Sequence, residues 1–215
     1  MQPPASLTSQ LYLLGYDPRR QRIAGGNNHG LLLRAGALEE LRLAGAVVDE
    51  GGRVRRGDAG RLHDPMLADV LAQITGSTKP RTWKHWINKG VGGTYAAVRD
   101  RLDDAMYTRV ETTRVLGIFP RTRAYLRDPA AVEALRAQVD RILAGTGRPS
   151  PQEAALVALA ATAELGTILP RSRRREYRSR IEALIDGPVV PALRAAVRER
   201  AAAAAGAGAA VVAGG

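Results

Sequence analysis

Residues 154–165, AALVALAATAEL, carry apolar side chains in nearly every direction around a helical axis. A helix without a polar face has to be enclosed on all sides. Ser150, Pro151 and Glu153 supply a cap, a first-turn proline and a capping box, so the spacing predicts one central helix over 150–169. The rest of the chain must provide the enclosing layer. With aromatics at only 4%, that layer is built from Leu, Val, Ile and Ala, a composition that suits helices packed through aliphatic ridges.

Helical periodicity of 3.6 recurs at 31–44, 65–74, 81–88, 94–110, 129–144, 171–185 and 189–204. Asp64 is placed to cap the second of these, with Pro65 at its first position. Residues 10–16 read as a short helix or strand, and 17–30 as a polar loop. Two hairpins are expected: 46–48 with 53–56 around the turn 49–52, and 114–118 with 121–125 across Phe119-Pro120. Helix followed by hairpin thus occurs twice. The expected class is mainly α, a single-domain helical bundle with two short β-hairpins. The expected domain runs over 11–204, between a flexible arm at 1–10 and a disordered Ala/Gly tail at 205–215.

The chain of 215 residues suffices for one sizeable core. Its net charge of +11, from 32 Lys and Arg against 21 Asp and Glu, implies an anionic partner, either nucleic acid or an anionic membrane surface. There is no cysteine, which excludes disulfides and thiolate metal sites. The N-terminus lacks the pattern of a signal peptide, and the Ala/Gly run 201–215 is too short to span a bilayer. The expected location is the cytoplasm, peripherally at the inner face of the membrane.

Arg34 interrupts the apolar face of the helix 31–44, between Leu38 and Leu41, and lies in the first turn, where the macrodipole disfavours a cation. Such a guanidinium has an internal carboxylate partner, snorkels to solvent, or meets an external anion. On the helix 94–110 Arg99 and Arg101 flank the two margins of the apolar stripe. The preceding loop Gly25-Gly26-Asn27-Asn28-His29-Gly30 runs into a helix N-terminus, where free backbone N–H groups favour phosphate. His29, His63 and His85 show no ligand spacing, and no nucleophile elbow, carboxylate pair or nucleotide loop appears. No enzyme, metal or cofactor is expected.

In the order and spacing of five stretches the chain resembles the Golgi phosphoprotein 3 family. These are LLRAGALEELRLAGAV (32–47), DPMLADVLAQI (64–74), the Trp86-Ile87 pair, AVRDRL (97–102) followed by RVLGIFP (114–120), and AALVALAATAELGTIL (154–169). The resemblance covers about residues 10 to 200. It implies a peripheral membrane protein that binds phosphatidylinositol 4-phosphate and cytoplasmic tails of membrane proteins. Arg34 and Arg99 match two arginines of the family's head-group pocket. A third family arginine falls at Ala96, and the pocket-loop tryptophan falls near Gly25. The resemblance therefore implies an anion site for which a plain anionic phospholipid, or another phosphorylated head group, fits as well. It also implies a role for the hairpin tip Ile118-Phe119 in membrane contact or self-association.

The run 170–180 holds six arginines in eleven residues, Arg171, Arg173, Arg174 and Arg175 among them. Each such charge near an anionic leaflet is worth about 1 kcal/mol. In 79–90, Lys79, Arg81, Lys84 and Lys89 interleave with Trp83 and Trp86; Trp86 is expected in the core and Trp83 at the surface. A competing reading is a nucleic-acid binder, with the helix 31–44 and hairpin 46–56 as recognition helix and wing.

Overall fold

The computed structural model describes residues 2–24, 26–60, 62–115 and 119–212, with the backbone alone at 114–115, 119–121 and 207–212. In chain order the described elements are α1 (Leu7–Leu14), β1 (Tyr16–Asp17), β2 (Arg22–Ile23), α2 (His29–Leu43), β3 (Val47–Glu50), β4 (Arg53–Arg56) and α3 (Pro65–Thr75). Then come α4 (Trp83–Asn88), α5 (Val91–Asp104), β5 (Thr108–Val115), β6 (Phe119–Leu126), α6 (Ala130–Leu143), α7 (Pro151–Thr162), α8 (Arg171–Glu176), α9 (Arg178–Ala183) and α10 (Val189–Val212). The protein is mainly helical, with three two-stranded antiparallel hairpins among the described residues: β1–β2, β3–β4 and β5–β6.

Two helices share the centre. Every residue of α7 from Ala155 to Ala161 is buried, as its all-round apolar sequence demands. Helix α2 is the second, and α1, α3, α4, α5, α7 and α10 all pack on it. Leu31, Leu32, Leu33, Leu38 and Leu41 are fully buried, each worth roughly 1.5–3 kcal/mol of transfer free energy. Gly36 lets α1 cross closely: a Cβ there would come within 2.8 Å of Leu11 Cδ1.

Several boundaries differ from those expected. Residues 7–10 belong to no loose arm: they open α1, buried throughout and capped by the Ser6 hydroxyl, which accepts from Ser9 N. The loop after Gly15 contains the extra hairpin β1–β2. The helix expected over 94–110 starts at Val91 and stops at Asp104, because Met106 takes a left-handed φ of 63° and the β-branched run from Thr108 pairs as strand. Helix α7 ends at Thr162, just before left-handed Glu164. The segment 171–185 forms two helices broken at Tyr177. Helix α10 continues to Val212, because the alanine run outweighs Gly206 and Gly208. Trp83, expected at the surface, is buried, and its indole N–H donates to Asp49.

The recognition-helix reading fails on burial. Eleven of the fifteen residues of α2 are buried, so no face of it is free to enter a groove.

Candidate functional site

Arg34 leaves α2 and ends against three other elements. Its Nε donates to the carbonyl of Trp86 (3.0 Å), Nη1 to Thr94 Oγ1 (3.1 Å) and Nη2 to Gln73 Oε1 (2.9 Å). The residue is 1% exposed. All three acceptors are neutral, and Arg34 forms no ion pair with a described carboxylate. Burial alone lowers the guanidinium to about 10, so the cation persists at neutral pH. Nη1 and Nη2 each spend one of two N–H groups on these acceptors, which leaves one N–H on each without a protein partner.

Arg34 lines a cavity of about 170 Å³ between α2, α3 and α5, together with Asp69, Gln73, Gly90, Gly93 and Thr94. Gly90 has a φ of 73° and caps α5; a Cβ there would lie 3.4 Å from the guanidinium carbon. Glycine at this position admits the left-handed turn, and the tightest contact a Cβ would make is with Gln73 Oε1, at 3.2 Å. The first turn of α5 has neither a side-chain cap nor an acidic residue. Its free N–H groups and positive dipole end therefore lie beside a cation that lacks a counter-charge. Asp69, exposed on α3, is the one carboxylate in the lining among the described residues, and its charge opposes an incoming anion.

The other residues singled out from the sequence lie elsewhere. Arg99 lines no cavity with Arg34; its Nε and Nη2 reach Asp100 Oδ1 at 2.8 and 2.7 Å, close to Tyr12 and Tyr95. Arg101 is tied into a polar knot. It pairs with Asp64 through Nη1, and Nη2 donates to Ser6 Oγ (3.0 Å), Thr8 Oγ1 (2.8 Å) and Ser9 Oγ (2.8 Å). Gly25 and Ile118 lie outside the described residues, as does the side chain of Phe119.

The arginines of α8 divide in two. Arg173 is held by Asp140 (2.6 Å) and the Tyr177 ring, and Arg174 by the Leu169 carbonyl (2.8 Å) and Glu164 (3.6 Å). Arg171 and Arg175 are exposed, with no ion pair among the described residues.

Gln73, Gly90, Gly93 and Thr94 escaped the sequence reading. The signal for three of them is the run Gly90-Val91-Gly92-Gly93-Thr94, a glycine-rich entry into a helix. Among the described residues no His, Cys, Asp and Glu side chains gather as a metal site would need, and no helix is long and apolar enough to cross a membrane.

Compared with models of protein families, residues 7–200 match the one described as Golgi phosphoprotein 3. No curated protein matches the chain.

Proposed function

Since the chain belongs to the Golgi phosphoprotein 3 family over residues 7–200, we propose that it is a peripheral membrane adaptor, not an enzyme, that holds the phosphate of an anionic lipid head group in the cavity at Arg34. One observation carries this reading: a fully buried guanidinium bordered by an open cavity, with neutral acceptors only. A buried charge without a counter-charge is an unfavourable arrangement that a bound anion relieves. The two spare N–H groups of Arg34 offer bidentate contact to phosphate oxygens, and the first turn of α5 adds backbone donors.

In this reading the head group is a phosphoinositide or a plain anionic phospholipid, met at the inner face of the membrane. Arg171 and Arg175 add long-range attraction to the leaflet. Arg99, held by Asp100, contributes only as a surface charge, and Arg101 holds the bundle together. Cytoplasmic tails of membrane proteins are the protein partners that family membership supports.

Flotation with phosphatidylcholine vesicles containing phosphatidylinositol 4-phosphate, and separately phosphatidylglycerol, tests the reading. Arg34→Gln is expected to weaken binding to at least one of the two by about tenfold, the worth of one charge-assisted bond. Asp69→Asn, which removes the opposing charge, is expected to strengthen it. The control Arg148→Gln with Arg198→Gln removes two exposed charges elsewhere. A loss from the control equal to that from Arg34→Gln reduces the binding to general electrostatics and overturns the site.

A further inference from the structure

Strand β4 has one neighbour in its hairpin and a second in the chain between α3 and α4. Val54 N donates to the Arg81 carbonyl (2.9 Å), Arg53 bridges to Thr82, and the Arg53 guanidinium donates to the Pro80 carbonyl (2.9 Å). The loop is thereby fixed against the strand. Between them lies a cavity of about 400 Å³ whose cationic lining is Arg55, Arg56, Lys79 and Arg81.

The charge of this cavity is one-sided. Among the described residues no Asp or Glu lines it. Arg55 is held by Glu50 at 2.7 Å. Arg56, Lys79 and Arg81 are exposed and form no ion pair among the described residues. Chance would place some of the chain's acids here, as it does at the other large cavities. The cavity formed by α7, α9 and α10 takes in Glu164 and Glu182 beside its arginines, and the one beside β1 takes in Asp17 and Glu164.

One polar atom of a wall residue is unsatisfied. Trp86 lines the same cavity and is 1% exposed, yet its indole N–H has no acceptor among the described residues. A buried donor left unmade costs about 1–3 kcal/mol. An indole nitrogen offers nothing to a cation and one hydrogen bond to an anion. Carbonyls at the end of α3 are engaged: Ala72 O accepts from Gly76 N and Thr75 Oγ1, and Ile74 O from Ser77 N.

We propose that the cavity between β4 and the α3–α4 loop is a second anion site, built for a phosphate monoester or pyrophosphate group held by Arg56, Lys79 and Arg81 over Trp86. Three unpaired cations match the charge of a phosphate dianion or pyrophosphate better than that of a singly charged carboxylate. The volume exceeds what one phosphate tetrahedron fills, so the ligand carries a second phosphate or an organic group. A phosphorylated lipid head group and a soluble phosphate share this chemistry. The site does not depend on the cavity at Arg34.

Titration of the full chain with inorganic pyrophosphate, read by tryptophan emission and calorimetry, tests it. Binding is expected to saturate and to weaken at least about tenfold in Lys79→Gln with Arg81→Gln. Both residues are exposed, and an unchanged thermal midpoint establishes that the pair is folded. The control Arg148→Gln with Arg198→Gln is expected to change affinity by less than about twofold. A second arm uses phosphatidylcholine vesicles doped with phosphatidic acid. Loss of vesicle binding in the Lys79/Arg81 pair assigns the phosphate to a lipid, and unchanged vesicle binding beside lost pyrophosphate binding assigns it to a soluble ligand. Binding that never saturates, or an equal loss in the control, overturns the proposal. So does pyrophosphate binding abolished by Arg34→Gln and untouched by the pair.

Discussion

Arg34 and Arg101 are two arginines turned inward from neighbouring helices, and the bundle treats them differently. Arg101 meets Asp64 and three hydroxyls, with Glu40 close by; Arg34 meets a carbonyl, an amide and a hydroxyl. The first arrangement is closed, since the chain supplies the counter-charge and an added anion would compete with a carboxylate already in place. The second is open in charge, and two of its five N–H groups have no protein partner. Burial and charge compensation are therefore separate conditions, and the cation buried without a counter-charge is the one poised to take an anion.

One way to break this contrast is to show that burial alone, without any question of counter-charge, governs inward-facing bases here. His29 measures that. It is buried between Tyr12 and Tyr95 with one contact to the Leu11 carbonyl (3.4 Å) and no anion, and desolvation lowers it to about 4. Histidine responds by shedding its proton, which arginine cannot do. The unfolded chain binds that proton near 6.5 and the folded one only near 4, so the contribution is fully present above pH 6.5 and is lost as pH falls toward 4. The loss is expected to reach about 3 kcal/mol. Urea midpoints between pH 7 and 4 should fall less steeply in His29→Gln than in the parent. Equal slopes mean that His29 is not the group whose burial destabilises the fold in acid.

A smaller effect sharpens the contrast directly. Arg101→Met strands Asp64, and is expected to cost about 2 kcal/mol after discount for the partial exposure of the pair. Arg34→Met strands no charge. It removes a desolvated cation along with three bonds, two of them to side chains, Gln73 and Thr94, that can turn elsewhere. A cost of about 1 kcal/mol is expected. Lipid binding should follow the reverse order, retained by folded Arg101→Met and lost by Arg34→Met. Chemical denaturation beside vesicle flotation on both variants decides it, and the same ranking in both assays would erase the distinction.

The sequence announced these two arginines and not their difference. Helical phase puts Arg34 among leucines and Arg101 at a stripe margin, because phase depends only on spacing. What each meets depends on how α1, α3 and α5 are brought together: Ser6, Thr8 and Asp64 lie 95, 93 and 37 positions from Arg101, and Gln73 and Thr94 lie 39 and 60 from Arg34. The all-apolar α7 and the caps at Asp64 and Ser150 were legible for the opposite reason, since their causes are local. The long hairpin β5–β6 was half legible. A hairpin was expected there, but the turn placed at Phe119-Pro120 is wrong, since these residues pair in β6 with Val115 and Arg114. The start at Thr108 rests on a left-handed Met106 that no propensity singles out. The α4 tryptophans show the same limit, for both are buried and only pairing with Asp49 distinguishes Trp83 from Trp86.

The smallest effect is the most discriminating, because it carries opposite signs. Gly90 and Gly93 both line the cavity at Arg34. Gly90 is left-handed with the guanidinium 3.4 Å from where a Cβ would lie, so Gly90→Ala is expected to lose about 1 kcal/mol of stability and to weaken anion binding together. Gly93 is helical, and a Cβ there meets nothing within 4 Å. Gly93→Ala should therefore gain about 0.5 kcal/mol from helix propensity. Its methyl group would project toward the space where a phosphate is expected to sit. If the cavity is only a packing defect, the second variant is more stable and binds vesicles as before. If it is a site, the second variant is more stable and binds worse, a combination that general damage to the fold cannot produce.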